Sequence, residues 1–387
     1  MTASYDVIVA GVGGMGSAAV LELARRGRRV LGLERFDVPH EMGSSHGVTR
    51  VIRLAYYEDR SYVPLMARAY ELWEELQERA GERLLHITGS LDVSVTGGGL
   101  FEGSKESCDE HGLPYEVLDG VALGRRFPGY RLPAESRALL QPRGGFLLPE
   151  RCIVAGVTQA QALGAEVHGR ERVLRWAADG DGVGVTTDRG AYRAGRLVLT
   201  AGAWSADLAE ALRGLAVPER QVVAWLQPLR PELFQPDRFP VFNLECETGR
   251  YYGLPVFAIP GVKLGRYHHR DEVTPDPDRL DRECHPEDEE VLRAFARRYL
   301  PDGAGPTMSL RPCMFTNSPD EHFLVDTLPG LPQVSVAAGF SGHGFKFCSV
   351  VGEIMADLAE SGTTRHDIGL FRLERFPARW TAAGGPS

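Results

Sequence analysis

Three glycines near the start of the chain constrain its fold more than any other feature. Gly11, Gly13 and Gly16 have the spacing G-x-G-x-x-G and join the short apolar run "DVIVAG" to the segment "MGSAAVLELARRG". The run predicts a buried strand, and the segment has the spacing of a helix. A further apolar run, "RVLGLE", ends in Glu34. A strand, a glycine turn, a helix and a second strand that ends in an acid predict a dinucleotide site of the Rossmann type.

Each residue type in this unit has a physical role. Gly11 permits a tight turn, Gly13 lets a pyrophosphate approach the backbone, and Gly16 lets the helix pack against the strand. The helix N-terminus offers free N–H groups and the positive end of its dipole to phosphates. Glu34 can accept a hydrogen bond from a ribose hydroxyl. We assign to the same site the neighbours of these residues, which are Val12, Gly14, Met15 and Arg35.

The segment that follows indicates which dinucleotide is bound. It reads "GSSHGVTRVIRLAYYEDRSYVPLM", which is first polar and then carries Arg50 and Arg53. An NAD dehydrogenase would usually continue with alternating strands and helices. In this chain a long segment without that alternation follows the nucleotide-binding unit, which favours a flavin enzyme with a second domain. An NAD dehydrogenase remains an alternative at this stage.

Composition excludes some classes of protein. A chain of 387 residues is long enough for two domains, or for one domain with a large insertion. The 43 Lys and Arg against 52 Asp and Glu give a formal net charge of −9, without a basic block. We therefore expect no nucleic acid partner. The start of the chain is not typical of a signal peptide, and we expect a cytoplasmic protein without a membrane span.

Cysteine and histidine spacing indicates neither a disulfide framework nor a metal site. The six cysteines include no CxxC pair, so a reducing compartment is expected. Cys284-His285 and His268-His269 are the pairs closest to a metal motif. Adjacent ligands rarely converge on one ion, and we predict no metal.

Apolar periodicity and turn residues divide the rest of the chain. We predict helices at 62–82, 151–163 and 290–301, strands at 86–94 and 165–168, a hairpin through 179–190, and a buried strand in "RLVLTAGAW" that is followed by Gly202. Residues 216–310 predict a mostly antiparallel sheet that forms the floor of a substrate pocket. A strand from Val334, a glycine-rich turn and a long helix follow, and the end after Phe376 is predicted to be a loose tail. The predicted fold class is mixed α/β (α+β).

Four further motifs carry a resemblance to a known family. They are "HGVTRVIR" (46–53), "VKLG" (262–265), "CMFT" (313–316) and "GFSGHGFKF" (339–347). In this order, together with the glycine turn, they resemble the monomeric sarcosine oxidase family, which includes N-methyltryptophan and pipecolate oxidases and belongs to the D-amino acid oxidase superfamily. The likeness extends nearly from end to end.

The resemblance implies a fold, a cofactor and a reaction. It implies a glutathione-reductase-like FAD domain, for which we expect residues 1–85, 145–215 and 320–387. A catalytic domain on a large antiparallel sheet is expected at 86–144 and 216–319. The implied activity is oxidation of N-methyl amino acids such as sarcosine by a monomer, with O2 as acceptor and H2O2, formaldehyde and the amino acid as products.

The resemblance also implies residue roles at the flavin. Cys313 matches the cysteine that tethers FAD through the flavin 8-methyl group, while Cys348 is interpreted as packing. Arg50 and His46 resemble groups on the flavin face opposite the substrate. Lys263 matches the lysine that assists the reaction with O2. Further expected FAD contacts are Ser45, Thr49, Val173, Gly202, Gly342, Gly344 and Phe345.

Substrate contacts are implied in the same way. Arg53 and Lys346 resemble the two cations that hold the substrate carboxylate, and a guanidinium can bind a carboxylate with two hydrogen bonds. Lys346 is also expected to contact FAD. Tyr252 resembles an active-site tyrosine. His269 matches a pocket histidine, although an extra residue in "GRYHH" leaves His268 as an alternative.

One departure bears on the substrate. Phe315 stands where the sarcosine-type enzymes carry a tyrosine, which favours a bulkier or more apolar N-methyl amino acid. A cyclic imino acid oxidase of the pipecolate or proline type is the alternative within enzymes. A non-catalytic flavin-binding subunit is the alternative outside them, but such a carrier would have no need of Arg53, Lys263 and Lys346.

Overall fold

A computed structural model describes residues 4–376. The predicted loose tail after Phe376 lies outside the described residues. Numbered along the chain, the strands are β1 Ser4–Ala10, β2 Val30–Leu33, β3 Arg50–Ile52, β4 Leu85–Ile87, β5 Ser90–Ser94, β6 Glu116–Asp119, β7 Arg137–Gln141, β8 Gly145–Leu147, β9 Glu166–His168, β10 Val173–Asp179, β11 Gly182–Thr187, β12 Ala191–Leu199, β13 Val217–Leu226, β14 Val241–Cys246, β15 Gly249–Leu254, β16 Val262–Arg266, β17 Thr307–Asn317, β18 Leu324–Thr327 and β19 Val334–Ala338.

The helices are shorter in total than the strands and lie mostly on the faces of the sheets. They are α1 Gly14–Arg25, α2 Tyr62–Ala80, α3 Gly99–His111, α4 Gly120–Arg126, α5 Pro149–Ala162, α6 Ser205–Leu208, α7 Pro286–Tyr299 and α8 Cys348–Ser361. In the part of the chain that the structure describes, no helix combines the length and the apolarity needed to cross a membrane.

The first sheet contains the predicted dinucleotide unit. Its strand order is β10-β11-β12-β1-β2-β9. β11 pairs with the first half of β12, and β19 pairs with the second half of β12 on the same edge. β18 pairs with the other edge of β19. β1 is parallel to both β12 and β2 and is buried from Val7 to Ala10. α1 packs against α5 and α8 over this sheet. The predicted order of strand, turn, helix and strand is confirmed.

Two glycines allow α1 to start close to β1. Gly11 has a φ of +97°, and a Cβ there would lie 2.5 Å from the carbonyl oxygen of Thr200. A Cβ at Gly16 would lie 1.8 Å from the carbonyl oxygen of Gly11. Any larger residue at either position would collide with backbone, which supports the predicted packing role of Gly16.

The second sheet has the strand order β17-β13-β16-β15-β14-β5-β7-β6. Neighbours are antiparallel, as predicted, except for β5 and β14, which are parallel. Residues 95–240 separate these two strands, so no hairpin fixes their relative direction. α7 packs on this sheet, and its Phe295 lies in an aromatic core with Phe242 and Tyr251.

Two predicted elements have different bounds in the structure. The strand predicted at 86–94 is divided into β4 and β5, because Gly89 has a φ of +77° and turns the chain from one sheet to another. β4 pairs with β8, which pairs with β3, in a separate three-stranded sheet. The helix predicted at 290–301 begins at Pro286, where Asp288 accepts a hydrogen bond from the backbone N–H of His285 at the helix start.

The two large sheets take their strands from alternating parts of the chain. Strands of the first sheet all fall within 1–85, 145–215 and 320–387, and strands of the second sheet within 86–144 and 216–319. The chain therefore passes repeatedly between the two sheets, and a site between them receives side chains from distant parts of the sequence.

Candidate active site

A large cavity opens where the parallel strands β1 and β12 end and the second sheet begins. It encloses about 1720 Å³, counted with its open mouth. Its lining includes Gly11, which directly follows β1, and Gly202, three residues after the end of β12, together with Tyr252 and Cys313 of the second sheet. Ligands of open α/β sheets bind at the carboxyl ends of the strands, which is where this cavity lies.

Most of the residues assigned from the sequence meet in this cavity. Its lining includes Gly11, Gly13, Gly14, Met15, Glu34, Arg35, Ser45, Arg50, Arg53, Val173, Gly202, Tyr252, Cys313, Gly342, Gly344, Phe345 and Lys346. The assigned residues outside the lining are Val12, Gly16, His46, Thr49, Lys263 and His269. Val12, Gly16, His46 and Thr49 are each adjacent in the chain to a lining residue, and the charge of Lys263 acts on the lining Cys313. His269 has neither relation to the lining.

At the glycine turn, the carboxylate of Glu34 closes the loop. It accepts hydrogen bonds from the backbone N–H groups of Val12, at 2.8 Å, and Phe36, at 3.0 Å. The N–H of Gly14 at the start of α1 donates to Ser45 Oγ at 3.1 Å. These contacts fix the entrance of α1 toward the cavity.

Cys313 lies on β17 in a strongly cationic environment. Its sulfur is 3.6 Å from Nη2 of Arg50, and the residue is 5% exposed. Burial alone would raise the pKa of the thiol, but His46, Arg50 and Lys263 outweigh it and lower the pKa to about 6. A large share of this thiol is therefore ionised at neutral pH, which makes it a nucleophile.

Lys263 on β16 is buried directly behind this cysteine. Its ammonium donates hydrogen bonds of 2.7 Å to the carbonyl oxygens of Gly47 and Thr49. Burial, with the nearby charge of Arg50, lowers the pKa of Lys263 well below its ordinary value. The lysine joins the second sheet to the loop before β3, and it is not a strand residue exposed to solvent.

Arg53 is engaged by an acid that the sequence analysis did not assign. Its Nη2 atom lies 2.8 and 2.7 Å from the two carboxylate oxygens of Glu58, and its Nη1 donates to the carbonyl of Ala55. Burial favours the neutral form of Glu58, but Arg53, His343, Lys346 and Arg250 outweigh it and lower the carboxyl pKa to about 2. Glu58 is thus an anion bound to a cavity-lining arginine.

Lys346 lies in the turn between β19 and α8. Its Nζ donates to the carbonyl oxygen of His343 at 2.6 Å and lies 3.4 Å from the hydroxyl of Tyr56. Burial and the charge of Arg53 lower the pKa of Lys346 to about 7, against the opposing effect of Glu58. The protonation of this lysine therefore changes near neutral pH.

Aromatic rings and a buried acid complete the wall of the second sheet. Tyr252, Tyr267, Phe315 and Asn243 line the cavity, with Tyr267 and Phe315 ring centres 5.9 Å apart. The amide of Asn243 donates to Asp92 at 2.9 Å. Aromatic rings therefore form most of this part of the wall, and the amide of Asn243 is held by Asp92.

The structure does not place His269 in the cavity. His269 is fully buried, its Nε2 lies 3.1 Å from Asp288, and its backbone N–H donates to Gln221. Tyr267 lines the cavity instead, because the extra residue in "GRYHH" and the positive φ of 51° at His268 turn the following residue away. Asp288 also binds Arg220 with two hydrogen bonds, of 2.9 and 2.7 Å.

The alternative, His268, lies at the surface. Its ring nitrogens lie 2.9 Å from Glu219 and 3.0 Å from Glu321, and these hydrogen bonds raise its pKa to about 10. Ligand-type atoms of Glu219, His268 and Asp271 lie within 4.8 Å of one another. Because Glu219 already accepts hydrogen bonds from His268 and Asn317, we propose no metal site there.

Two cavity residues and one acid beside the cavity were missed from the sequence. Glu58 follows Arg53 by five residues, and an acid so close to an arginine in an apolar segment was a usable signal of a buried pair. Asn243 and Tyr267 gave no such signal, because the pairing of β14 places Asn243 at the cavity and the turn after β16 places Tyr267 there.

Comparison with known proteins assigns the family. A family model described as FAD dependent oxidoreductase matches residues 6–358. The chain belongs to this family. The prediction of an FAD-dependent oxidoreductase of mixed α/β class is confirmed.

Individual relatives of this FAD-dependent oxidoreductase match nearly their whole length. A monomeric sarcosine oxidase from Streptomyces avermitilis is 42% identical over 386 residues, which are 98% of this chain and 99% of the relative. An N-methyl-L-tryptophan oxidase from Yersinia pestis is 33% identical over 373 residues, 96% of this chain and 99% of the relative. The solved structure of NikD, an amino acid oxidase essential for nikkomycin biosynthesis, is 32% identical with a TM-score of 0.83 and covers 96% of this chain and 98% of NikD. The predicted family resemblance is confirmed.

The residues present in the cavity fit an FAD. The glycine turn is open on the side of Gly13, which lines the cavity, since a Cβ there would meet within 4 Å only Ser45 Oγ, at 3.7 Å. The buried ring of His46 lies beside the Cys313 thiol and lowers its pKa. Its position supports the expected role of His46 beside the cofactor.

We predict that the buried network around His269 supports stability. Asp288→Asn should lower the free energy of unfolding by about 3–5 kcal/mol, because it leaves Arg220 buried without its charged partner. Glu272→Gln is the matched control. Glu272 binds the same arginine at 2.9 Å with a side chain 36% exposed, and its loss should cost less than about 1 kcal/mol. Urea unfolding measures both values, and equal losses would contradict the assigned role of Asp288.

Proposed function

We propose that this FAD-dependent oxidoreductase is an oxidase of N-methyl amino acids such as sarcosine. The observation that carries the proposal is a cavity lined by the glycine turn, the ionisable Cys313 and the cations Arg53 and Lys346. Relatives that are named sarcosine and N-methyl-L-tryptophan oxidases support the substrate class. The reaction consumes one N-methyl amino acid, one O2 and one water, and yields the amino acid, formaldehyde and H2O2. The proposed protein is a cytoplasmic monomer.

FAD, when bound, accepts two electrons as a hydride equivalent from the carbon beside the nitrogen and passes them to O2. We assign its binding to the glycine turn, Glu34, Arg35, Ser45, His46, Thr49, Val173 and Gly202, and to the turn 342–346. The protein then has to bind, orient and adjust the protonation of the substrate.

Arg53 and Lys346 are the proposed carboxylate site. Both carboxylate oxygens of Glu58 accept hydrogen bonds from Nη2 of Arg53. A substrate carboxylate therefore has to compete with Glu58 for Arg53 or bind beside it. Lys346 donates only one short hydrogen bond, to a carbonyl, and has donors left. Two cations that converge on one carboxylate fix the orientation of the substrate.

The same cations favour the reactive form of the amine. An ammonium has no lone pair to release into the breaking bond, so the substrate has to react as the neutral amine. Arg53 and Lys346 disfavour a further positive charge in the cavity and thus lower the pKa of the bound substrate.

Lys263 is the proposed site of assistance to O2. Reduction of O2 develops negative charge, which a nearby cation stabilises. Lys263 is buried behind Cys313, and its hydrogen bonds to two carbonyl oxygens hold the ammonium in one place. Arg50, which neighbours both residues, adds to the same positive field.

Cys313 is the proposed site of covalent attachment. The support is its low thiol pKa and its position in the cavity wall between Arg50 and Lys263. Thioether formation removes one S–H and one C–H hydrogen, so two electrons have to reach an acceptor. O2 is the acceptor that the oxidase reaction supplies.

The substrate class is tested by separating the two half-reactions. Anaerobic addition of sarcosine or N-methyl-L-alanine should bleach the yellow protein, and O2 should restore the colour with one H2O2 per turnover. Preferential bleaching by pipecolate or proline would favour the cyclic imino acid alternative. No bleaching by any secondary amino acid would overturn the proposal.

Lys263→Met provides an internal control for this experiment. It should leave anaerobic bleaching nearly unchanged and slow the reaction with O2 by about 100-fold or more, since only the second step develops charge on oxygen. An equal loss in both steps would remove Lys263 from this role.

Covalent attachment is tested by acid denaturation. We expect the yellow colour to remain with the precipitated wild-type protein and to pass into the supernatant with Cys313→Ser. Cys348→Ser is the matched control, because burial raises the pKa of the Cys348 thiol well above its ordinary value and that thiol stays protonated. Colour that washes out of the wild type would refute the tether.

We expect carboxylate binding to weaken above neutral pH. Lys346 has a pKa of about 7, so it is a cation below pH 7 and increasingly neutral above it. The dissociation constant of acetate, followed by the flavin spectrum, should rise by up to tenfold per pH unit above 7. Lys346→Arg should bind acetate with little pH dependence, and Lys346→Met should bind it about 10-fold or more weakly. A wild-type constant that is flat from pH 6 to 9 would contradict the assignment.

A further inference from the structure

Arg250 is a partly buried arginine at the edge of the cavity. It lies on β15 two residues before Tyr252, so both side chains are on the same face of the sheet. Its guanidinium carbon lies 4.0 Å from the ring centre of Tyr267 and 4.9 Å from that of Tyr57. Tyr252 and Tyr267 line the cavity, so Arg250 packs against a cavity-lining ring, although its own side chain is not part of the lining.

Arg250 has no acid in contact within residues 4–376. Its Nε is buried without a hydrogen-bond partner, and no carboxylate oxygen lies within 4.0 Å of the guanidinium. Glu58 and Glu321 are the acids that act on it from a greater distance. Each is already bound, Glu58 to Arg53 and Glu321 to His268.

The deeply buried arginines Arg53 and Arg220 differ in this respect from Arg250, which is only partly buried. Arg53 and Arg220 each bind both oxygens of one carboxylate. A buried guanidinium is expected to be paired, because desolvation of an unpaired charge is costly. The two tyrosine rings supply cation–π attraction but leave the planar N–H donors of Arg250 without an acceptor.

We infer that Arg250, between Tyr57 and Tyr267, binds a second carboxylate on the substrate side chain. The inference rests on the proposed function and names its substrate class: N-methyl derivatives of acidic amino acids. A guanidinium suits this role because its planar donors match the two oxygens of a carboxylate.

The spacing of the cations fits one small dicarboxylic molecule. The ring of Tyr57 lies 4.5 Å from the guanidinium carbon of Arg53 and 4.9 Å from that of Arg250. Both guanidinium groups are therefore neighbours of a single ring. With the α-carboxylate at Arg53 and Lys346, a side chain of two or three carbons would extend toward Arg250.

The test compares an acidic substrate with its neutral isostere. For the wild type, kcat/KM for N-methyl-L-glutamate should exceed that for N-methyl-L-glutamine by at least tenfold. Arg250→Met should reduce this ratio to about one, and Arg250→Lys, which keeps the charge but loses the planar donors, should give an intermediate ratio. The ratio is informative even where the absolute rate changes.

Arg266→Met is the matched control. Arg266 lies on the neighbouring strand β16, opposite Tyr251, and therefore on the other face of the sheet. The control removes the same charge from the same region but should leave the ratio at its wild-type value. A ratio that falls equally in Arg266→Met and Arg250→Met would assign the preference to the general field and overturn the inference.

A binding measurement separates this inference from the proposed function. Glutarate and its monoamide are titrated into the enzyme without turnover, and the flavin spectrum reports binding. Glutarate should bind at least tenfold more tightly than the monoamide in the wild type, and the difference should vanish in Arg250→Met. Oxidation of sarcosine together with equal binding of the two probes would refute only the role of Arg250. Tight glutarate binding without oxidation of any secondary amino acid would refute only the proposed reaction.

Discussion

The burial of positive charge around one cavity is the constraint on which the rest of the site depends. Arg53, Lys263 and Lys346 are almost completely removed from solvent. Backbone carbonyls accept from all three, and Glu58 is the carboxylate that contacts Arg53. Neutral carbonyls solvate an ammonium without cancelling its charge. The cavity therefore keeps a positive field that an anionic ligand can complete.

This field acts in opposite directions on different groups. Burial is the main cause of the lowered pKa values of the lysines, and this field lowers them further. The same field makes the thiol of Cys313 easier to ionise and keeps Glu58 charged despite burial. One charge distribution thus prepares a nucleophilic sulfur, holds an internal anion and leaves Lys346 near the midpoint of its titration at neutral pH. One arrangement of buried charges therefore accounts for the state of the Cys313 thiol, of Glu58 and of Lys346.

The sequence predicted the parts of this arrangement that depend on local order. The glycine turn, α1 and Glu34 lie within a few residues of each other, and local sterics determine their structure. The roles of Lys263 and Cys313 came from the resemblance, because a lysine or a cysteine on a strand carries no sign of what faces it. His269 was expected in the cavity, but the chain turns at His268, where φ is positive, and Tyr267 lines the cavity instead.

The parallel pairing of β5 with β14 has a consequence for how the chain reaches its fold. β5 pairs with β7 on one edge and with β14 on the other, and residues 95–240 separate β5 from β14. During synthesis from the N-terminus, the strands β5, β6 and β7 would be complete while one edge of β5 still exposed its backbone N–H and C=O groups. Such an edge is a template for pairing with another chain until the correct strand arrives. The same connection brings residues that are distant in sequence together at one cavity. It also slows the formation of the second sheet, because the pairing of β5 with β14 requires the second half of the chain.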